Sequence, residues 1–555
     1  MKFLREDQTL NKVERIKQAR HPLEVRQAII DTYSKDLSAM DEVPGEVERL
    51  KWVGIYPQKQ GGDAFMMRIK VPGGVLTPEQ ARVIGKIAAD FARGPIVNPH
   101  FGNNFLDLTT RQDVQMHWIR MKDVPEIWRR LEDVGITTVQ ACGDSARNVL
   151  CCPVSGLDHH EVIDAFPVAQ AISAYFTGNR EYANLPRKFK MSVTGCLEDC
   201  AQAEINDVGL LPARLEDGTV GFNLRVGGGL SDGPRMASDI DVFVRPEEAV
   251  EITRGIAQVF GELGDRENRW TARMRYLVQE LGPEGFREEL EKRVSINLTP
   301  AGEDLTKRYR GDHVGVHSQR RRGGSRTAQP GTAFHYVGLN VPVGRMSGEQ
   351  FEEAGALAAE YGDGVRLATD QNLIITGVPE DRLDELLAEP LLKRYSPNPG
   401  AFERGVVACT GSEFCRFGIV ETKATAVEWA REMDERVGNL GQEAVRMHFS
   451  GCSASCAQPQ IGDIGFRGET AKTPEAIVEG VDIGLGGSLG KDAAFIDWVE
   501  GAKPTEEVPD ALVAVFERFE EERRQGERFH EWARRKRNAE LREALRKPVR
   551  SGVSA

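Results

Sequence analysis

Long apolar runs are missing from this 555-residue sequence. No stretch of about 18 apolar residues occurs, so no segment is read as crossing a membrane. The first twenty residues, MKFLREDQTLNKVERIKQAR, lack an apolar centre, so no secretory leader is expected and the protein is placed in the cytoplasm. Positive charge is short: 72 Lys and Arg against 85 Asp and Glu leave a formal net charge of −13, which argues against general nucleic-acid binding. An even, disulfide-type cysteine set is absent too; nine cysteines fall at short local sites, a usage that suits site chemistry better than stapling. Nor is there a complete nucleotide fingerprint. GLGGSLGK has neither the Gly-x-Gly-x-x-Gly spacing nor a Walker lysine followed by Ser or Thr.

What is present is repetition. WVGIYPQKQGG (52–62) is echoed by HVGVHSQRRRGG (313–324), and MRIKVPGGVLTPEQARVIGKIAADFARG by VGLNVPVGRMSGEQFEEAGALAAEYGDG. TTRQDVQMHWI (109–119) returns as ATDQNLIITGV (368–378), VTGCLEDCAQ as FSGCSASCAQ, and RVGGGLSDG as GLGGSLGKD. Five echoes in one order, offset by roughly 260 residues, describe a duplicated unit too long for a solenoid repeat. Two halves about a pseudo-twofold axis are expected, with a site at their junction. Within a half, FMMRIKV and VQMHWI alternate as strands do, and TPEQARVIGKIAADFA opens on a Thr cap with helical periodicity. Residues 1–50 are read as a polar helical extension. Small α+β units follow at 51–130 and 312–395, larger α/β units at 131–311 and 396–504, and a charged helical tail at 505–555.

The cysteines concentrate the chemistry. Cys409-x5-Cys415 and Cys452-x3-Cys456 put four thiolates in two Gly/Ser-rich loops. An iron–sulfur cluster, a zinc ion or no metal are all open on spacing alone, although zinc ribbons favour a tighter Cys-x2-Cys. The first-half echo holds Cys196 and Cys200, but its upstream region, QACGDSARNVLCC, has Cys142 and no cysteine six residues on. It reads as a degenerate copy, with Cys196 and Cys200 structural and Cys151 and Cys152 small buried apolar residues.

Cys-x5-Cys followed by Gly-Cys-x3-Cys resembles the signature of the siroheme and [4Fe-4S] nitrite and sulfite reductases, over roughly residues 50–500. That resemblance implies an α+β pseudo-twofold fold with two ferredoxin-like half-domains and two larger siroheme- and cluster-binding domains. It implies that Cys409, Cys415, Cys452 and Cys456 hold the cubane, and that Cys456 also bridges to the siroheme iron. Ser453 and Ala454 stand where the family often has Pro-Asn. Arg68, Arg147, Lys188 and Lys190 match positions facing the substrate side of the iron, where cations would hold a small oxyanion and feed protons. Arg111, Gln115 and His117 resemble the cofactor-contacting strand. Tyr56 and Cys142 match a pair that some members join as a thioether.

Sulfite is slightly favoured over nitrite as substrate, because Lys190 adds a cation that suits a dianion and because His117 and Cys142 lean the same way. CTGSEFC followed by ETK leans toward nitrite. The resemblance implies ferredoxin as electron donor and a monomer, with QRRRGGSR (319–326) and ARRKRNAELR (533–542) as basic candidates for an acidic partner. The rival readings are a zinc-stabilised scaffold and an inactive assembly subunit.

Overall fold

The computed structural model describes residue 3 and residues 10–306, 309–320, 333–438 and 444–546. The chain forms two compact units. One comprises Met1–Gly229, Arg235–Leu339 and Arg345–Arg394; the other comprises Leu230–Pro234, Asn340–Gly344 and Tyr395–Ala555.

The first unit contains both small half-domains, and each completes the other's sheet. In the first, strands run in the order Ile55–Pro57, Phe65–Ile69, Val114–Ile119 and Leu106–Leu108, and the fifth place is filled by Arg345–Met346 from the second half. In the second, the order is Gly315–Gln319, Phe334–Leu339, Leu373–Pro379 and Gly364–Leu367, closed by Val75–Leu76 from the first half. Each lent strand is two residues long and sits just before a capped helix. Thr77 and Gln80 form a capping box for Pro78–Phe91; Ser347 and Gln350 form one for Gly348–Tyr361. The two helices pack at glycine: a Cβ on Gly85 would drive into the backbone nitrogen of Glu352. The turns of the TTRQD and ATDQN echoes add a reciprocal tether. Gln112 and Gln371 both take left-handed φ, +55° and +68°. The Gln112 amide donates to Leu367 O at 2.8 Å and that of Gln371 to Leu108 O at 3.0 Å.

The larger domains repeat one topology. In the first unit the sheet order is Ser238–Val244, Val220–Val226, Val208–Arg214, Phe189–Val193, Ala146–Cys151, around a core that includes Phe176, Phe189, Phe222 and Phe260. In the second unit it is Val406–Ala408, Met447–Ser450, Ile464–Lys472, Ile477–Leu485, Asp497–Pro504. In both, three neighbouring strands pair in parallel and the remaining pairings are antiparallel.

The tail is helical, in three segments rather than one. It forms Val508–Glu522, Phe529–Arg534 and Asn538–Arg546, and the first two bury Phe516, Phe519, Phe529 and Trp532 against one another. Its cations are engaged. Arg534 donates to Gly486 O, to Asp492 O at 2.6 Å and to Ser488 Oγ at 2.7 Å. Arg535 pairs with Glu527, Lys536 with Glu522, Arg537 with Glu540, and Arg542 donates to Val499 O.

Arg345, carried in on its lent strand, is fully buried. It meets Asp107 at 2.6 and 2.9 Å, with its guanidinium 3.9 Å from the centroid of Phe105. Arg345→Ala leaves Asp107 charged and buried, and it lowers unfolding free energy by about 3–5 kcal/mol. A denaturant midpoint unchanged from wild type would contradict this role for the lent strand.

Candidate active site

The expected pocket residues of the first unit lie in one electrostatic network, with Arg147 buried and Arg68, Lys188 and Lys190 half-buried. Arg68, on strand Phe65–Ile69, pairs in register with Gln115 on Val114–Ile119. Its Nε and Nη2 donate to the Gln115 amide oxygen at 3.2 and 2.6 Å, and its Nη1 lies 3.0 Å from Cys142 Sγ. Arg147, near the start of strand Ala146–Cys151, donates to Ala141 O at 2.9 Å and reaches Cys142 Sγ at 3.5 Å. The two guanidiniums therefore flank one thiol. Tyr56 lies near the same thiol, and burial together with Cys142 raises its pKa well above the ordinary tyrosine value.

Lys190 lies on strand Phe189–Val193 and Lys188 immediately before it, both half-buried. The backbone N–H of Lys190 donates to Asp207 at 2.9 Å. Burial, reinforced by Arg111, Lys188 and Arg273, holds the Lys190 ammonium well below the usual lysine range. Burial likewise lowers Lys70 to about 8 and Arg111 to about 9. Cations outnumber carboxylates in this network, where Asp113 and Asp207 are the acidic members. Such an excess in a desolvated site suits a polyanionic ligand.

Two expected residues sit differently from the strand reading. Arg111 belongs to the turn before Val114–Ile119, not to the strand. It is clamped by Asn206 Oδ1 at 2.8 Å and Asn148 O at 2.6 Å, because a buried guanidinium needs acceptors on every side. His117 is on the strand, but its ring faces Gln58 Oε1 at 3.3 Å and the Asp107 carboxylate at 3.4 Å, within the network that holds Arg345. Lys70, Asp113, Asp207 and Arg273 were not singled out in the sequence. Arg273 pairs with Asp207 at 3.0 and 3.1 Å, joined across 66 positions. The alternation in TARMR was the available signal, but it gives no partner.

In the second unit, Cys409 follows strand Val406–Ala408, Cys415 ends the short helix Gly411–Phe414, and Cys452 and Cys456 follow strand Met447–Ser450. Backbone N–H groups of Gly411 and Gly451 point at Cys409 Sγ from 3.4 and 3.2 Å, the donors that cluster sulfurs require. Cys409, Cys415 and Cys452 are half-buried and Cys456 is exposed. Among the described residues, the thiol groupings tight enough for a single ion, with ligand atoms within 4.8 Å, lie elsewhere. This wider spacing, with its N–H donors, fits a cubane that takes one thiolate per iron corner.

Register relates these cysteines to the first half. Cys151 pairs with Val193, and Cys152 and Cys196 lie one and three residues beyond that pair. Ala408 pairs with Phe449, and Cys409 and Cys452 lie one and three residues beyond it. Cys152, expected to be an inert core residue, thus occupies the position of Cys409. The first copy is less degenerate than its sequence suggests.

Asp113 gives a pH test. Burial pushes its carboxyl up to about 6, against the pull of Arg68, Arg111, Arg147 and Lys70, while an ordinary aspartate titrates at 3.8. Between these values the folded protein keeps a proton that the unfolded chain has released, so stability falls as pH rises through the window and levels off above it. Relative to wild type, Asp113→Asn gains melting temperature between about pH 4 and pH 7. A difference independent of pH would show that Asp113 ionises normally.

Family models match both halves of the chain. The nitrite and sulphite reductase 4Fe-4S domain matches residues 142–298 and again 400–551; the nitrite/sulfite reductase ferredoxin-like half domain matches 56–134 and 326–392. The assimilatory ferredoxin-dependent nitrite reductase of Haloferax mediterranei is 43% identical, over 87% of this chain and 84% of its own length. The ferredoxin–nitrite reductase of Synechococcus elongatus is 38% identical, over 92% and 97%. The solved structure of the Mycobacterium tuberculosis NirA protein superposes with a TM-score of 0.88 at 32% identity, covering 96% of this chain and 98% of that one. No helix among the described residues is long and apolar enough to cross a membrane. The chain belongs to the nitrite and sulphite reductase family, as an oxidoreductase whose cofactors are siroheme and a [4Fe-4S] cluster.

Proposed function

We propose that this enzyme is a ferredoxin-dependent assimilatory nitrite reductase, carrying out the six-electron reduction of nitrite to ammonia. The observation that carries the reading is the 43% identity with the Haloferax mediterranei enzyme, supported by the Synechococcus elongatus enzyme and by the chloroplastic ferredoxin–nitrite reductase of Zea mays at 40%. When bound, siroheme supplies the iron that takes the anion and the cluster supplies electrons singly.

The chain's own contribution is positional and electrostatic. Cys409, Cys415, Cys452 and Cys456 would hold the cluster, and Cys456, the exposed member, would be the thiolate shared with the siroheme. Arg68 and Arg147 present fixed donors to the oxyanion. Lys188 and Lys190 complete the pocket. Lys190, with its lowered pKa, releases a proton more readily than an ordinary lysine and suits the delivery of hydrogen to departing oxygen. Arg111 and Gln115 serve the cofactor carboxylates, Arg111 from its turn and Gln115 through the Arg68 side chain. His117 serves that side indirectly, by fixing the strand through Asp107.

Burial and the neighbouring cations that lower Lys190 work against the added charge that favoured sulfite, and the His117 ring faces Gln58 and Asp107 rather than an anion. Sulfite is the second reading, and the observation that favours it is the adjacent Lys188 and Lys190 pair. With one ferredoxin as donor, kcat/KM for nitrite should exceed that for sulfite by more than about tenfold, a difference of about 1.4 kcal/mol in the barrier. Equal values, or a preference for sulfite, overturn the nitrite reading.

Tyr56 and Cys142, which lie near one another, are the partners of the proposed thioether, which an intact mass two hydrogens short would reveal. Ferredoxin docking is not assigned to either basic stretch. Residues 321–326 of QRRRGGSR lie outside the described residues, and the cations of ARRKRNAELR are engaged within their own unit.

A further inference from the structure

We infer that the first half of the chain carries a second metal centre, a structural zinc ion held by Cys152, Cys196, Cys200 and His313. The sulfurs of the three cysteines lie within 4.8 Å of one another. Cys196 and Cys200 Sγ are 3.9 Å apart, and His313 Nε2 lies 3.2 Å from Cys200 Sγ and 3.7 Å from Cys152 Sγ. A tetrahedral zinc with bonds of about 2.3 Å to sulfur and about 2.0 Å to nitrogen sets its sulfurs about 3.8 Å apart and sulfur from nitrogen by about 3.5 Å. The separations of 3.9, 3.2 and 3.7 Å lie close to these values. They are too short for a cubane, which spreads its thiolates over separate iron corners, so the donor set selects one ion.

The surroundings support a ligand role over three idle thiols. Cys152, Cys196 and Cys200 are buried in a small cluster with Val154, Leu157, Tyr336 and Ile374, which shields a closed site from water. His313 is not glycine, yet its φ is +61°, a conformation that costs free energy and turns its ring toward the sulfurs. A Cβ on Gly338 would run into the His313 carbonyl, so the packing that imposes this backbone is built in. The other ring nitrogen, Nδ1, meets the Tyr336 hydroxyl at 3.3 Å, the kind of partner that fixes a metal-bound imidazole's orientation. Cys152 and Cys196 also occupy the strand-end positions that Cys409 and Cys452 hold in the cluster half. His313, 161 positions after Cys152, supplies the fourth donor that the first half lacks at the Cys415 position.

Binding converts three thiols to thiolates and releases their protons, leaving a four-coordinate site with no open position and hence a structural rather than catalytic one. The Glu198 carboxylate, 3.9 Å from Cys200 Sγ and within 4.8 Å of the His313 ring nitrogen, is the competing oxygen donor that this assignment leaves unused.

The test is metal analysis of the full holoenzyme after desalting. One zinc per chain is expected beside the iron, with X-ray absorption at the zinc edge showing three sulfurs and one nitrogen. Cys200→Ser and His313→Ala should lose zinc at least tenfold while keeping acid-labile sulfide; Glu198→Gln should keep zinc. Should those variants fail to fold, the wild-type protein decides. Mercurial titration should release one zinc, detected by a chromogenic chelator, as the buried thiols react. Less than a tenth of a zinc per chain, a Cys196–Cys200 disulfide by mass mapping, or zinc bound through oxygen overturns the assignment.

Discussion

Everything chemical in this molecule depends on parallel strands ending side by side. In each larger domain two adjacent strands stop together, and the chain beyond each places a cysteine at a fixed step from the last backbone pair. Parallel pairing fixes that step more firmly than a loop could, because slipping one strand by a residue would turn every side chain to the opposite face. Ligands in open α/β sheets collect beyond the carboxyl ends of the strands for the same reason. Duplication copied this geometry before the copies diverged in what they hold.

Divergence is visible in the chemistry around each end. In the second unit the thiols are spread, three half-buried and Cys456 exposed, with backbone N–H groups turned toward Cys409. In the first unit the three thiols are drawn together within an apolar cluster and a histidine completes the set. The first unit also concentrates charge: Arg111, Arg147 and Lys70 are buried with Asp113 and Asp207, Arg68 and Lys190 are half-buried beside them, and burial depresses the lysines. Holding that many cations out of water is costly unless an anion joins them, and this is the strongest physical argument that the pocket is built for anionic ligands.

The sequence made some of this legible and hid the rest for identifiable reasons. Cys409, Cys415, Cys452 and Cys456 stood out as candidates because two short local spacings carry them, and the duplication because five echoes keep their order. Arg68 and Arg147 became candidates only through family likeness, since no local pattern joins residues on separate strands. Cys152 and His313 were not readable as partners: strand register brings the first to Cys196, and a left-handed backbone 161 positions later brings in the second. The lent strands Val75–Leu76 and Arg345–Met346 are too short to show alternation. In the tail, the charges of FERFEEERRQGERFHEW masked an aromatic stripe whose burial decides the packing.

Acid-labile sulfide in protein purified without oxygen tests the central claim most directly, that one strand-end position serves different metals in the two copies. Wild type should carry about four sulfides per chain. Cys409→Ser should lose them and Cys152→Ser should keep them. Sulfide retained in Cys409→Ser, or lost from a folded Cys152→Ser, would contradict the account.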